Sequence, residues 1–176
     1  MHTLPNKVQI ATGLLVKFKG LYDYTGLYQF MRAWFQKNQY LLQEDRYKDK
    51  AFTALGTEIE PKWSAERKIN EYIKYQISVE FHIWEGKDVE ITENGKKKLM
   101  TTGRMTINIS STVLLDYAKI YEGKGKFINF IGEVYKKMRW REMEMVYFNQ
   151  LEDETFMLQK AIQNYLNMHG KEDAYY

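Results

Sequence analysis

The sequence predicts an α+β domain in which an antiparallel β-sheet, arranged as a meander, carries an N-terminal helix and a long C-terminal helix or helix pair on one face. Apolar and polar residues alternate from Lys62 to Trp84 and again from Leu99 to Ile109, which predicts strands. After Phe127 the apolar spacing becomes helical. The length of 176 residues suits one domain, which we place at 1–170, with 171–176 as a loose tail.

The N-terminal part predicts a strand, a helix and an edge strand. Val8 to Lys19 alternates apolar with polar residues and predicts the first strand. Apolar residues at helical spacing follow, so we expect Asp23 or Thr25 to cap a helix that ends near Asn38. Leu41 to Lys50 is heavily charged, which is typical of an edge strand protected against unwanted pairing.

The longest alternation, between Lys62 and Trp84, is too long for one straight strand. At about 3.3 Å per residue it would extend to roughly 75 Å, whereas a domain of this length has a radius of gyration of about 16 Å. We expect a bend, bulge or turn between Arg67 and Glu71, and Asn94-Gly95 predicts a hairpin turn into an antiparallel return strand. The side chains expected in the core are Ile73, Tyr75, Ile77, Val79, Phe81 and Ile83.

The C-terminal part predicts helix after a loop at Gly123-Lys124-Gly125. A second apolar stripe extends the helical pattern to about Met168, with Gly170 as a stop. Because this span is long for a globular helix, we expect a kink or turn between Arg139 and Asn149. Whether the span forms one helix or two remains open. The first apolar stripe consists of Phe127, Phe130, Ile131, Val134 and Met138.

Catalytic and cofactor signatures are missing from the sequence. It has no cysteine, which excludes disulfides, thiolate metal sites and cysteine nucleophiles. His2, His82 and His169 are far apart, so we expect no metal site and no cofactor, and no catalytic triad forms locally. His82 lies on the polar phase of its strand and is interpreted as a solvated or cross-strand hydrogen-bonding residue. We therefore expect no enzyme.

Acidic and glycine-rich segments also have ordinary interpretations. Glu152-Asp153-Glu154 is interpreted as a solvated acidic patch or a helix start. Asp116 is expected to bond a turn or a cap rather than to act as a buried acid. Gly123 to Lys126 matches neither phosphate-binding glycine pattern, so we interpret it as a flexible, lysine-bearing loop.

A basic and aromatic cluster in the C-terminal helical region is the predicted contact surface. Cations around an aromatic ring suit an acidic protein surface or RNA. The net charge of only +3 and the interleaved acids weaken the RNA reading, and a solvated helix face with Trp140 packed inward is the alternative. This region also has more large side chains than one helix face can bury, so some are expected to point outward. The cluster comprises Lys136, Lys137, Arg139, Trp140, Arg141 and Tyr147.

Two resemblances accompany these patterns. The segments Phe18 to Asp23, Glu60-Pro61-Lys62-Trp63, Arg67 to Tyr75 and Asp116-Tyr117 resemble small uncharacterised archaeal proteins, a likeness that spans most of the chain and implies no function. The order of strand, helix, antiparallel meander and long C-terminal helix is similar to the helix-grip arrangement of START-like and plant-allergen-like domains. The glycine-rich loop expected after the second strand is absent from the sequence, so this resemblance implies no ligand or site residue.

Three classes of function follow from the sequence. We prefer a non-catalytic macromolecule-binding or assembly module whose partner is another protein or a second copy of the chain. The alternative is a carrier of a small apolar ligand. An enzyme of unassigned class is the third candidate. A cavity above about 300 Å³ between sheet and C-terminal helix favours the carrier, whereas exposed apolar area favours the module. No apolar run approaches the roughly 20 residues of a membrane span, and Met1 to Gln9 lacks the regions of a secretory signal, so we expect a cytoplasmic protein without membrane insertion.

Overall fold

The computed structural model describes residues 4–53, 56–93, 96–121 and 124–167. The predicted Asn94-Gly95 turn, the Gly170 stop and the tail 171–176 lie outside this part of the chain. The elements in order are β1 (Lys7–Tyr22), α1 (Tyr24–Lys37), β2 (Leu41–Thr53), β3 (Gly56–Lys68), β4 (Ile73–Glu93), β5 (Lys96–Leu115), α2 (Lys126–Met143), a π-helical turn (Glu144–Phe148) and α3 (Asn149–Tyr165).

The five strands form one antiparallel sheet in the order β1-β5-β4-β3-β2. The strands β2 to β5 form the predicted meander, and β1 pairs with β5, which leaves β2 as the predicted edge strand. The α1 and α3 helices pack on the sheet. The structure thus confirms the predicted α+β class.

The start of the chain follows the predicted strand and helix with one local difference in β1. The register with β5 shifts between Gln9 and Leu14, so that Ala11 is buried and Thr12 is exposed, the reverse of the predicted phase. A bulge inserts an extra residue, so the first shift brings Ala11 to the inner face, and the second shift, before Leu14, restores the predicted phase for Val16. Asp23 caps α1 as predicted, because its Oδ1 accepts a 2.7 Å hydrogen bond from the N–H of Gly26.

The long alternation is a hairpin rather than one strand. The predicted interruption is a tight turn after Lys68, where the side chain of Asn70 accepts hydrogen bonds from the N–H groups of Tyr72 (2.9 Å) and Ile73 (2.8 Å). In both strands of this hairpin, β3 and β4, the odd-numbered side chains of the alternation face the core. All six side chains predicted to face the core from β4 are buried, and so are Trp63 and Ala65 on β3.

A bulge at Glu85 interrupts the 21-residue strand β4. Glu85 has a φ of 58°, and the register with β5 shifts between Trp84 and Lys87. Both flanking strands place glycine beside it: a Cβ on Gly56 would lie 2.7 Å from the carbonyl carbon of Glu85, and one on Gly103 would lie 2.8 Å from the carbonyl oxygen of Trp84. The glycines therefore make room for the bulge, which increases the local twist of a long strand.

The C-terminal helices run on from one another through the π-helical turn. The N–H of Asn149 donates to the carbonyl oxygen of Glu144, a spacing of five residues that is typical of a π-bulge. The turn falls inside the predicted interval between Arg139 and Asn149, so the irregularity is confirmed. The α3 helix ends at Tyr165, three residues before the predicted end at Met168.

Candidate functional site

The α2 helix turns its apolar stripe away from the rest of the chain. The side chains of Phe127 and Met138 are 74% and 79% exposed, and the stripe continues into the π-helical turn, where Met145 and Val146 are exposed. An apolar stripe at helical spacing usually marks the buried face. We call the stripe the α2 outer face; it consists of Phe127, Phe130, Ile131, Val134 and Met138, of which only Val134 is half-buried.

The inward face of α2 is polar and is centred on Lys136. At about 100° per residue, Val134 and Met138 fall roughly opposite Lys136. The Lys136 ammonium donates to the carbonyl oxygen of Leu4 (2.8 Å), to Asn6 Oδ1 (2.5 Å) and to Glu133 Oε1 (3.0 Å). These three bonds use all of its protons and allow the charge to be buried.

Lys136 is therefore not part of an exposed contact surface, contrary to the sequence prediction. Only 3% of this residue is exposed, because α2 is rotated so that Lys136 meets the N-terminal segment. The spacing that places Lys136 one turn from Trp140 is correct, but both residues belong to the inward side of the helix. Trp140 is half-buried and packs edge-on against Phe148 at 5.5 Å between ring centroids, which matches the alternative interpretation of an inward tryptophan.

The other predicted contact residues divide between two places. Lys137 and Arg141 are exposed. Lys137 lies beside the α2 outer face, whereas Arg141 lies on the line of the stripe itself, about one turn beyond Met138. Arg139 forms a 2.7 Å ion pair with Glu142 and, together with Tyr147, lines a cleft on another side of α2. The six residues of the predicted cluster thus do not form one continuous surface.

That cleft lies between α2 and the turn that joins β3 to β4. Its volume is about 340 Å³, and it is open to solvent. Tyr72 meets Tyr135 edge-on at 5.3 Å between ring centroids, and burial raises the pKa of Tyr72 well above its ordinary value. We call it the tyrosine cleft; its aromatic residues are Tyr72, Tyr121, Tyr135 and Tyr147.

A smaller cavity of about 250 Å³ beneath α2 contains charged groups that bond to one another and to the backbone. Lys136 and Glu133 pair there. The carboxylate of Asp116 accepts hydrogen bonds from the N–H groups of Ile120 (2.6 Å) and Tyr121 (3.2 Å). Asp116 therefore accepts the hydrogen bonds of a turn, as expected, but it is also buried, with only 5% of the residue exposed, so the contrast drawn between a turn and a buried acid does not hold.

His82 lies on the opposite side of the molecule, on the sheet face that the helices do not cover. Its Nε2 atom is 2.6 Å from Glu58 Oε1 and 3.4 Å from Glu60 Oε1. The interpretation of His82 as a cross-strand hydrogen-bonding residue is confirmed. Sequence patterns do not associate either glutamate with His82, because that association depends on the register between β3 and β4.

One buried ion pair was missed in the sequence. Glu154 was grouped with a solvated acidic patch, but its side chain is only 16% exposed and binds Arg67. Glu152 and Asp153 are exposed, as that interpretation expects. Arg67 carried the sequence signal for this ion pair. It is a cation on the same inward phase as Trp63, and a cation on that face needs an acidic partner from another element.

No family model matches the chain, and no curated protein matches it. Within the part of the chain that the structure describes, no helix is both long enough and apolar enough to span a bilayer. The functional argument therefore depends on the surfaces themselves.

Proposed function

We propose that this protein is a non-catalytic protein-binding or assembly module, and that the α2 outer face is its contact surface. The observation that carries the proposal is the exposure of four of the five side chains of the apolar stripe on a regular helix of 18 residues. Contiguous apolar patches beyond a few hundred Å² are rare on the surface of monomers and usually mark interfaces.

The orientation of α2 supports this reading because bonds on the inward face fix it. Turning the apolar stripe inward would break the three hydrogen bonds of Lys136 and the contact of Trp140 with Phe148. The stripe therefore stays outward within the part of the chain that the structure describes, where it is open to a second molecule.

A second copy of this chain is the occupant we propose. A two-fold contact requires only one self-complementary surface, and twofold dimers are the commonest assembly of soluble proteins. The α2 helix is about 27 Å long at 1.5 Å per residue, so two copies can align their stripes along most of this length. Lys137 lies beside the stripe and would lie at the rim, where charged groups are tolerated, and Arg141 would lie at the C-terminal end of the stripe.

A pair of variants tests the contact surface. Phe130→Ser combined with Met138→Ser removes two exposed apolar side chains from the α2 outer face, and Met157→Ser removes one from α3 as the matched control. We expect light scattering to give a dimer mass for the wild type and the control, and the 21.1 kDa chain mass for the double variant, with unchanged circular dichroism. A double variant that associates as the wild type does would refute this surface.

A carrier of a small apolar ligand is the second candidate function. The tyrosine cleft exceeds the 300 Å³ that we set for a ligand site and lies between the C-terminal helix and the sheet end. Native mass spectrometry after incubation with a lipid extract tests it: a bound species that disappears in Tyr147→Ala supports the carrier. RNA binding has less support, because Lys136 is buried and Arg139 is paired with Glu142. A cytoplasmic location remains part of the proposal.

A further inference from the structure

The geometry points to a metal site on the uncovered face of the sheet, formed by Glu58 and Glu60 of β3 and His82 of β4. We propose that these three side chains bind one divalent transition-metal ion of the Zn²⁺ class. One ligand atom from each residue lies within 4.8 Å of the other two. This site is independent of the assembly surface on α2.

The three groups have the chemistry that such an ion requires. An imidazole nitrogen with two carboxylate oxygens suits Zn²⁺ and its neighbours in the first transition row, whereas Mg²⁺ and Ca²⁺ prefer oxygen ligands alone. Zn²⁺ binds these atoms at about 2.0–2.2 Å. Side-chain rotations that shift each ligand atom by about an ångström would therefore bring the three ligand atoms around one ion. The imidazole nitrogen already points at both carboxylates, at 2.6 and 3.4 Å.

Trp84 and the sheet hold the imidazole in place. The ring of His82 stacks on Trp84 with 3.7 Å between centroids and 18° between planes. The guanidinium of Arg104 lies over the ring of Trp84, 5.6 Å from the ring centroid. A ligand fixed by stacking and carried on paired strands loses little conformational entropy when the ion binds, and preorganised sites of this kind bind more tightly.

The cluster is accessible from solvent. The side chains of Glu58, Glu60 and His82 are 27%, 28% and 31% exposed. Glu60 and His82 line a cavity of about 410 Å³ whose wall includes Asn108, and the Asn108 Oδ1 atom accepts no hydrogen bond from the described residues. Three protein ligands leave one tetrahedral position vacant, so the site would hold a water molecule or a small anion facing the cavity.

Existing contacts of the two glutamates do not prevent binding. Each carboxylate offers two oxygens and about four lone-pair positions, so it can bind an ion and keep another partner. The nearby Lys62 ammonium pairs with Glu80. Binding would replace the hydrogen bond between His82 and Glu58 by two bonds to the ion.

Calorimetric titration of the chelator-treated full chain with ZnCl₂ tests the proposal. We expect one ion per chain, and His82→Ala to weaken the affinity by more than about tenfold, the range seen when ligand geometry is lost. Glu60→Gln should weaken it as well. Glu66→Gln, on the same sheet face and paired with Lys74, is the matched control, and His2→Ala and His169→Ala exclude binding by the other histidines.

Tryptophan fluorescence adds a readout located at the site. Cu²⁺ bound at His82 should quench the stacked Trp84, and Trp84→Phe should remove most of that quenching. Circular dichroism checks the fold of each variant, and Glu58→Gln replaces His82→Ala if the latter does not fold. A wild-type chain without a stoichiometric site, or equal Zn²⁺ affinity in the wild type, His82→Ala and Glu60→Gln, would overturn the proposal.

Discussion

Arg67 binds both carboxylate oxygens of Glu154, at 2.6 and 2.9 Å, and so ties β3 to α3. The hydroxyl of Tyr40 donates to the same carboxylate at 2.7 Å, and the guanidinium lies 4.6 Å from the Tyr40 ring centroid. The pair therefore fixes α3 against β3, while the bonds of Lys136 fix the rotation of α2.

Replacing either Arg67 or Glu154 should lower the free energy of unfolding. We expect Arg67→Met to lower the free energy of unfolding by about 3 kcal/mol, because Glu154 is left with a largely buried, uncompensated charge. Urea unfolding of Arg67→Met, Glu154→Gln and the double variant gives the coupling energy. Additive losses would show that the two residues act independently.

The strand phase of β4 makes a sharp prediction for two adjacent positions. Ile77 is fully buried, so Ile77→Lys should lower the stability by at least about 3 kcal/mol, through lost apolar burial and a desolvated ammonium. Gln76 lies on the uncovered face, and Gln76→Lys should cost less than about 1 kcal/mol. Melting temperatures measure both, and equal values would contradict the assigned phase.

Asp23 should stabilise α1 in a pH-dependent way. Burial alone would raise the pKa of its carboxyl, but the N–H of Gly26 and the ammonium of Lys98, at 3.0 Å, lower the pKa overall. Its contribution is therefore present above the ordinary aspartate pKa of about 3.9 and is lost as the pH falls through the lowered value. We expect Asp23→Ala to cost about 1 kcal/mol at pH 7 and much less in acid, once the carboxyl is protonated, as measured by chemical denaturation. The exposed Asp153→Ala is the control.

Tyr40 should make the protein sensitive to alkali. Burial, and then its hydrogen bond to the Glu154 carboxylate, raise the pKa of Tyr40 above its ordinary value. The unfolded chain releases this proton from about pH 10 while the folded chain retains it, so stability falls as the pH rises further. Tyr40→Phe should be less stable at pH 7 but lose stability less steeply above pH 10. Thermal melts of the wild type and Tyr40→Phe across this pH range decide this, and parallel losses of stability above pH 10 would contradict it.

The strands and the caps were accessible from the sequence because each depends on local rules. The alternation around Ile77 fixes one face of β4, and Asp23 precedes a helical stripe at the position of a cap. The need for a break followed from length, since a straight strand would exceed the size of the domain, and its place followed from the interruption of the pattern between Arg67 and Glu71.

The orientation of α2 was not accessible, because its apolar stripe obeys the same periodicity as a buried one. What decides the orientation is Lys136, whose three acceptors come from Leu4, Asn6 and Glu133. Two of these lie about 130 residues away along the chain. The cluster around His82 also depends on strand register, which sequence patterns do not specify.

The molecular mass of the unmodified chain in solution tests the central claim most directly. Sedimentation equilibrium over a micromolar concentration series should give a mass that approaches twice 21.1 kDa as the concentration rises. A mass that stays at 21.1 kDa throughout the series would contradict self-association through the α2 outer face.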